Sequence, residues 1–180
     1  SEKDLKSLEI TVEEKPTGEI AAGAGVGTEG TSFSFTVQEN NYLGKGLMVD
    51  ATLSASEEAL RGGLTMSNPN FNYSGNLVYG GITSTNNDKS DSSGYENTIT
   101  NLNIGTKFEQ YEDLYLTPGL DLSFDDLRVD GTASEKLKKQ AGEFTEFNFN
   151  YGLEMDKRDR SFMPTSGSIV SFSQSLPIFS

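Results

Sequence analysis

The most regular feature of the chain is an alternation of apolar and polar side chains with a period of two residues. It is clear over residues 31–38, where Phe33, Phe35 and Val37 are separated by serine and threonine, and it returns many times along the chain. A period of two places successive side chains on opposite faces of a β-strand. The sequence therefore predicts an all-β protein whose strands have one apolar and one polar face.

The alternation predicts nine antiparallel strands of about 8–12 residues, longer than the usual length of about five or six. They cover residues 20–27, 31–38, 47–54, 60–67, 76–83, 102–108, 114–125, 146–156 and 170–176. Between them, residues 68–70 (Asn-Pro-Asn) predict a break, residues 85–94 a polar loop, and residues 132–140 one or two helical turns. A further alternating segment over residues 8–14 predicts a separate strand ahead of the first of the nine.

Two architectures fit this pattern. In a soluble sandwich the apolar faces of the strands bury one another, whereas in a transmembrane barrel they meet lipid and the polar faces line a wet lumen. Polar-face residues such as Asp50, Asp121 and Glu154 suit either arrangement. Long strands and few large core residues favour the barrel. The predicted fold is therefore an antiparallel transmembrane β-barrel, and the pattern leaves a sandwich or open sheet as the alternative.

Composition removes several classes of function. The 14 Lys and Arg against 27 Asp and Glu give a net charge of −13, which argues against binding nucleic acid. The chain contains no Cys and no His, so disulfide scaffolds, thiolate or imidazole metal sites and histidine-dependent triads are excluded. No apolar run approaches the roughly 18 residues of a membrane helix. No enzyme activity, catalytic residue, metal or cofactor is predicted.

Three local patterns could carry chemistry, and each has a simpler explanation. Residues 25–30 match G-x-G-x-x-G, but a predicted strand follows where a dinucleotide site needs a helix. Residues 89–94 lack the acidic spacing of a calcium loop. Glu146 and Glu154 would lie about 26 Å apart along a strand, too far for glycosidase chemistry. Four other acidic residues are expected to face the lumen and an outer loop rather than bind a metal: Asp121, Asp125, Asp126 and Asp130.

Residues 156–168 (DKRDRSFMPTSGS) resemble a signature of the outer membrane protein assembly factor (BamA) family of outer-membrane insertases, also called bacterial surface antigens. The matching positions are Asp159, Arg160, Phe162, Pro164, Thr165, Gly167 and Ser168. Further stretches resemble the same family in the same order along the chain: residues 12–18, 23–30, 38–46, 67–71 and 147–152. Several weak matches in the right order make the resemblance strong.

The resemblance implies that residues 16–180 are the N-terminal half of a sixteen-stranded outer-membrane barrel, and residues 1–15 the tail of a POTRA domain. The family's Val-Arg-Gly-Phe motif does not occur in the sequence, so we expect the chain to be a fragment. The implied function is folding and inserting β-barrel proteins into the bacterial outer membrane. The implied partners are outer-membrane lipid, nascent β-barrel proteins and, mainly through POTRA domains, assembly lipoproteins; nucleic acid is not among them.

The resemblance also implies two sets of functional residues. The first strand would be one side of a lateral gate, formed by Ile20, Ala21, Ala22, Gly23, Ala24, Gly25, Val26 and Gly27. The second set would clamp a periplasmic turn: Asp159, Arg160, Pro164 and Gly167. Alternative functions are a two-partner secretion translocator or porin-like transport barrel, and a soluble β-rich binding module.

Overall fold

The computed structural model describes residues 10–13, 15–27 and 30–179. These residues form nine strands and two short helices: β1 (Gly18–Gly27), β2 (Gly30–Tyr42), β3 (Leu47–Ser56), β4 (Ala59–Phe71), β5 (Asn76–Lys89), α1 (Ser90–Ser93), β6 (Tyr95–Tyr111), β7 (Leu114–Val129), α2 (Glu135–Lys138), β8 (Gly142–Asp156) and β9 (Ile169–Phe179). All nine strands belong to one antiparallel sheet in the order of the sequence. The predicted all-β meander of nine strands is confirmed.

The sheet is a single layer without a conventional core. Among the described residues, Ala59 and Ala133 are the only buried apolar ones, whereas Phe33 is 62% exposed and Ile104 58% exposed. A sandwich would bury such side chains against a second sheet. An uncovered apolar face instead suits the wall of a barrel in lipid. Within the described part of the chain, no helix has the length and apolar character needed to cross a membrane.

The strand register places the apolar residues on one face across the whole sheet. One unbroken row of directly opposed residues runs from β1 to β9: Ile20, Val37, Ala51, Leu64, Ile82, Leu102, Leu122, Phe147 and Phe179. The adjacent row is polar or small from β1 to β8: Ala21, Thr36, Thr52, Gly63, Thr83, Asn101, Ser123 and Glu146. A slip of one residue would exchange the two rows, so this alternation fixes the register.

Two predicted interruptions of strands are wrong. Residues 68–70 lie inside β4, where the register shifts between Asn68 and Phe71, and such an irregularity accommodates a proline. Residues 85–89 extend β5, because their backbone pairs with β6 and the Asn86 side chain donates to Glu96 and Thr98. The strands are consequently 10 to 17 residues long, longer than predicted.

Two other local predictions have different outcomes. The predicted helical turn is confirmed as α2, whose Ser134 cap accepts a hydrogen bond from the amide of Leu137. The predicted strand over residues 8–14 is not seen at residues 10–13, which have no regular structure and an exposed Ile10 and Val12. The rest of that segment lies outside the described residues. The domain boundary between residues 15 and 16 remains a prediction.

The connections separate into two ends of the sheet. Residues 43–46, 72–75, 112–113 and 157–168 lie at what we call the turn end, and residues 57–58, 90–94 and 130–141 lie at what we call the loop end. Among the described residues, β1 and β9 each pair with a single strand. The sheet therefore presents two backbone edges, of which the β1 edge is the predicted gate.

Candidate functional site at the β1 edge and the turn end

Strand β1 is built from small residues and is exposed along its full length of ten residues. The structure places all eight predicted gate residues in it. Gly23 faces Ser34, and Gly25 faces Ser32, so the contacts with β2 at these positions involve little side chain. Glycine in a strand contributes no side-chain packing. The backbone ladder to β2 is therefore the main attachment of β1 along its glycine-rich part.

The start of β1 has additional contacts that the sequence analysis missed. The Thr17 hydroxyl donates to the Glu39 carboxylate, and the Thr17 carbonyl accepts from both the backbone and side-chain amides of Asn40, at 3.2 and 3.0 Å. Glu39 also accepts from the Asn41 amide at 2.7 Å. These residues are about twenty positions apart, so only the strand register could have revealed the contact.

Two turns at the turn end share one construction. The Asn41 side chain accepts from the Gly46 amide at 2.7 Å, and the Asn70 side chain accepts from the Gly75 amide at 2.8 Å. Both turns contain three residues with positive φ, ending in that glycine: Leu43, Gly44 and Gly46 in one, and Asn72, Tyr73 and Gly75 in the other. Of the stretches that resemble the family, residues 38–46 include the first turn, whereas residues 67–71 lie in β4 and end directly before the second turn.

The longer β8–β9 turn is organised by Asp159. Its carboxylate accepts from the Thr165 amide at 2.9 Å, the Ser166 amide at 3.1 Å and the Thr165 hydroxyl at 2.6 Å. These hydrogen bonds, above all that of the hydroxyl, hold the pKa of Asp159 below its usual value. Gly167 adopts φ +93°, and an added Cβ would lie 2.0 Å from the Lys157 carbonyl oxygen. The structure therefore brings Asp159 and Gly167 together in one closed turn.

The two arginines of this turn have different partners. Arg158 forms a bidentate pair with Asp156, donating to both carboxylate oxygens at 2.8 and 2.6 Å. Arg160 instead donates to the Met163 carbonyl at 2.6 Å and lies 4.0 Å from Asp159. Pro164 follows Met163, whose φ is +49°, so Arg160 supports the bend directly before the proline.

The depressed pKa of Asp159 gives a testable consequence. The stabilisation by its charged form is complete above the usual aspartate value of 3.8 and is lost as the pH falls through the lower folded value. In the full-length protein, an NMR titration of the Asp159 carboxyl carbon should give a pKa below 3.8. Thr165→Val removes the largest cause and should move that pKa upwards. An unchanged pKa in the variant would contradict the assignment of the hydroxyl as the main cause.

A charged cluster joins three strands on the polar face at the turn end. The Lys107 ammonium lies 2.8 Å from the Glu154 carboxylate and 5.0 Å from the centre of the Tyr115 ring. Lys107, Tyr115 and Glu154 lie on β6, β7 and β8. The sequence analysis missed this cluster because its members are far apart in the chain and meet only through the register.

The remaining acidic residues do not form a common site. Asp121 and Asp125 lie on the polar face, as predicted, and Asp121 accepts from the side-chain amide of Asn150. Asp130 lies in the β7–β8 connection at the loop end, where it accepts from Thr132. Asp126 lies on the opposite face of β7 and pairs with Arg128 at 2.7 Å, so it faces neither the polar side of the sheet nor a loop, contrary to the expectation for the four acids. Within the described ranges, no three Asp or Glu side chains are grouped closely enough to hold a metal.

Comparison with known proteins agrees with this geometry. The Omp85 superfamily domain matches residues 41–179. The outer membrane protein assembly factor BamA of Neorickettsia risticii (strain Illinois) is 28% identical over 183 residues, which cover 92% of this chain and 23% of that protein. The chain thus spans about a quarter of the length of this curated relative.

A solved structure shows the same fold. The crystal structure of BamA from Haemophilus ducreyi lacking POTRA domains 1-3 superimposes with a TM-score of 0.66 at 22% identity, covering 92% of this chain and 35% of that one. Together the matches confirm the predicted family resemblance, the barrel-type sheet and the location in the bacterial outer membrane. Because the family domain covers most of its residues, the chain belongs to the Omp85 superfamily.

Proposed function

We propose that the chain is part of an outer-membrane insertase, which folds β-barrel proteins and inserts them into the bacterial outer membrane through a lateral gate at β1. Its curated relative is an outer membrane protein assembly factor, and such a role requires no covalent chemistry. The observation that carries the proposal is the composition of β1, a strand of ten residues that is exposed throughout and built mostly from alanine and glycine. The partners are nascent β-barrel strands and outer-membrane lipid.

The mechanism follows from backbone chemistry. An unpaired strand edge offers amide donors and carbonyl acceptors to an incoming extended segment, which adds to the sheet as a new strand. The apolar face of β1 carries Ile20, Ala22, Ala24 and Val26, and its polar face carries Gly23 and Gly25. Small side chains leave room for the partner strand and specify little of its sequence, which suits an edge that pairs with many different clients.

The apolar belt of the sheet also supports the proposal. On β7 it runs from Leu114 to Phe124, about 33 Å along the strand at ~3.3 Å per residue. On β2, next to the gate strand, it runs only from Phe33 to Val37, about 13 Å. Thr31 and Glu39 lie on the same face of β2 and mark the two ends of its apolar belt. A shorter belt matches a thinner bilayer, and local thinning beside β1 would lower the barrier to insertion.

Photo-crosslinking in cells tests the proposal. A photoreactive residue at Ala22 in β1 of the full-length protein should capture nascent barrel proteins, because an added strand would lie about 4.8 Å away. The matched control is Ala51, which lies on the same face but in β3. It is about 14 Å from such a strand, or three strand spacings. We expect adducts at Ala22 to exceed those at Ala51 by at least about fivefold, in view of this separation.

Two outcomes would contradict the proposal. Equal yields at Ala22 and Ala51 would mean that β1 has no special contact with clients. Adducts at Thr52, on the polar face of β3, without adducts at Ala22 would mean that clients pass through the lumen. That result would favour a secretion translocator over an insertase.

A further inference from the structure

We infer that the turn end of the sheet lies in the headgroup layer of the membrane, where Leu43 and Tyr73 contact phospholipid. These two side chains, which we call the tip residues, lie in the β2–β3 and β4–β5 turns. Two observations carry the inference: the backbone conformation of the tip residues, and the row of aromatic residues directly before the turns. The lipid contact does not depend on whether β1 is a gate.

Each tip residue is bulky and has a backbone conformation that such residues rarely adopt. Leu43 has φ +56° and is 71% exposed, and Tyr73 has φ +58° and is 95% exposed. Each turn has two adjacent positions with positive φ, and the second of these is occupied by Gly44 in one turn and the first by Asn72 in the other. Glycine and asparagine suit this conformation. The turns therefore do not require leucine or tyrosine, and a contact outside the chain must offset the strain.

The strands that lead into three of the turns end in an aromatic residue. β2 ends at Tyr42, β4 at Phe71 and β6 at Tyr111. Each stands opposite a residue on the apolar face of the next strand, and their exposed fractions are 43%, 44% and 69%. We call these three residues the girdle. Aromatic residues in such a position mark the boundary between hydrocarbon and water in membrane barrels.

The girdle residues lie at one depth when the strands are tilted as in a barrel. From β2 to β4, and again from β4 to β6, the girdle moves two ladder positions towards the turn end. That is about 6.6 Å along the strands against about 9.6 Å across two strand spacings, or a tilt of about 35°. Transmembrane barrel strands have this tilt. The centre of the apolar belt moves at the same rate, five positions from β2 to β7.

The depth of the tip residues follows from the end of the apolar belt. On β2 the belt is bounded by Glu39, and Tyr42 lies two ladder positions further towards the turn end. At a tilt of about 35°, this is about 5 Å along the membrane normal. The headgroup layer is about 5–7 Å thick on each side of a bilayer. The girdle therefore lies in this layer, and Leu43 and Tyr73, one and two residues beyond it, lie in its outer part.

The girdle stops before the first strand. Strand β1 contains no aromatic residue, so the wall from β2 to β6 has an anchor at the membrane surface that β1 lacks. For the proposed function, this difference would let β1 move while the neighbouring wall stays at a fixed depth. That consequence rests on the proposed function, whereas the lipid contact of the tip residues does not.

Fluorescence quenching in lipid nanodiscs tests the contact, because both membrane surfaces are open to solvent there. Tyr73→Cys or Leu43→Cys, in full-length protein without other cysteines, carries an NBD fluorophore. The quenchers are phosphatidylcholine with a nitroxide on its headgroup, and iodide in water. The ratio of lipid quenching to iodide quenching should be at least about threefold higher at both tips than in the control Ser92→Cys. Ser92 is exposed in α1 at the loop end, beyond the polar extension of β5.

Two results of this experiment would overturn the inference. A ratio at Tyr73 equal to that at Ser92 would mean that the turn lies in water. Protection of both tips from both quenchers would mean that a protein surface covers them instead of lipid. Neither result depends on a client, so both are distinct from a failure of the proposed gate.

The natural tyrosine can be tested without a fluorophore. Asparagine suits positive φ, so Tyr73→Asn keeps the turn but removes the contact of the phenol with lipid. In nanodiscs this change should raise the equilibrium constant for urea unfolding at least about twofold, because tyrosine prefers the interface. Tyr73→Phe keeps an aromatic side chain and should behave like the natural protein. In water Tyr73→Asn would instead relieve strain, so an unchanged or more stable variant would contradict the lipid contact.

Discussion

Replacing Gly167 with alanine should prevent the β8–β9 turn from closing and should cost more folding stability than any other glycine-to-alanine change at the turn end. The residue has φ +93°, a conformation that L side chains avoid, and the new Cβ would lie 2.0 Å from the Lys157 carbonyl oxygen and 2.7 Å from the Arg158 Cα. Both neighbours are backbone atoms and cannot move aside as a side chain could. The turn must therefore change its path, and with it the start of β9.

Three glycines separate the two contributions to this cost. Gly131 has neither a positive φ nor an atom within 4 Å of an added Cβ, Gly44 has φ +67° and open space, and Gly167 has both the positive φ and the clash. Gly131→Ala should have little effect on the free energy of unfolding. Gly44→Ala should lower it by about 1 kcal/mol, and Gly167→Ala by about 3 kcal/mol or more. The measurement is urea unfolding of the full-length protein in lipid, followed by the mobility of unheated samples in gels. Equal losses at Gly44 and Gly167 would contradict the steric argument.

The alternation of side chains was sufficient to predict the nine strands and their two faces, because a period of two is a local property of the sequence. The ends of the strands were not predictable in this way. Residues 85–89 are polar on both faces, so they resemble a loop, yet their backbone continues the ladder between β5 and β6. Outside the lipid, a strand needs a pairing partner but no apolar face, so its extension leaves no hydrophobic signal.

The candidate site shows the same division between local and distant information. The bonds of Asp159 to Thr165 and Ser166 are turn chemistry within eight residues of sequence, and the motif pointed to them. The bond of Thr17 to Glu39 and the ion pair of Lys107 with Glu154 depend on which residues stand opposite each other. A glycine inside a strand can indicate the close approach of another group, and that signal was available at Gly105 and Gly119.

Those two glycines form a shallow groove that holds the side chain of Tyr79. Tyr79, Gly105 and Gly119 are directly opposed on β5, β6 and β7. An added Cβ at Gly105 would lie 2.4 Å from the Tyr79 hydroxyl oxygen, and one at Gly119 would lie 3.4 Å from the same atom. The phenol ring therefore extends across the neighbouring strand on the polar face, where it covers backbone that glycine leaves bare.

A double-mutant cycle should measure this contact as a strong coupling. Gly105→Ala should destabilise the folded sheet by about 2–3 kcal/mol, because the ring must leave its groove. In a Tyr79→Ala background the same change should cost only about 1 kcal/mol, so the coupling energy is about 1–2 kcal/mol. Removing the tyrosine ring should not abolish the cost of Gly105→Ala completely, because the Pro118 carbonyl oxygen also lies 3.0 Å from the new Cβ. Urea unfolding in lipid gives all four free energies.

Gly152→Ala provides the control for this cycle. Gly152 also lies in a strand, β8, but an added Cβ there meets Thr117 at 3.5 Å, an ordinary contact, and does not meet Tyr79. Its cost should therefore be the same, to within about 0.5 kcal/mol, with or without the tyrosine. If the free-energy costs of Gly105→Ala and Tyr79→Ala also added without coupling, the ring could not occupy the groove. A coupling confined to Gly105 would instead establish that one aromatic side chain secures the register of three adjacent strands.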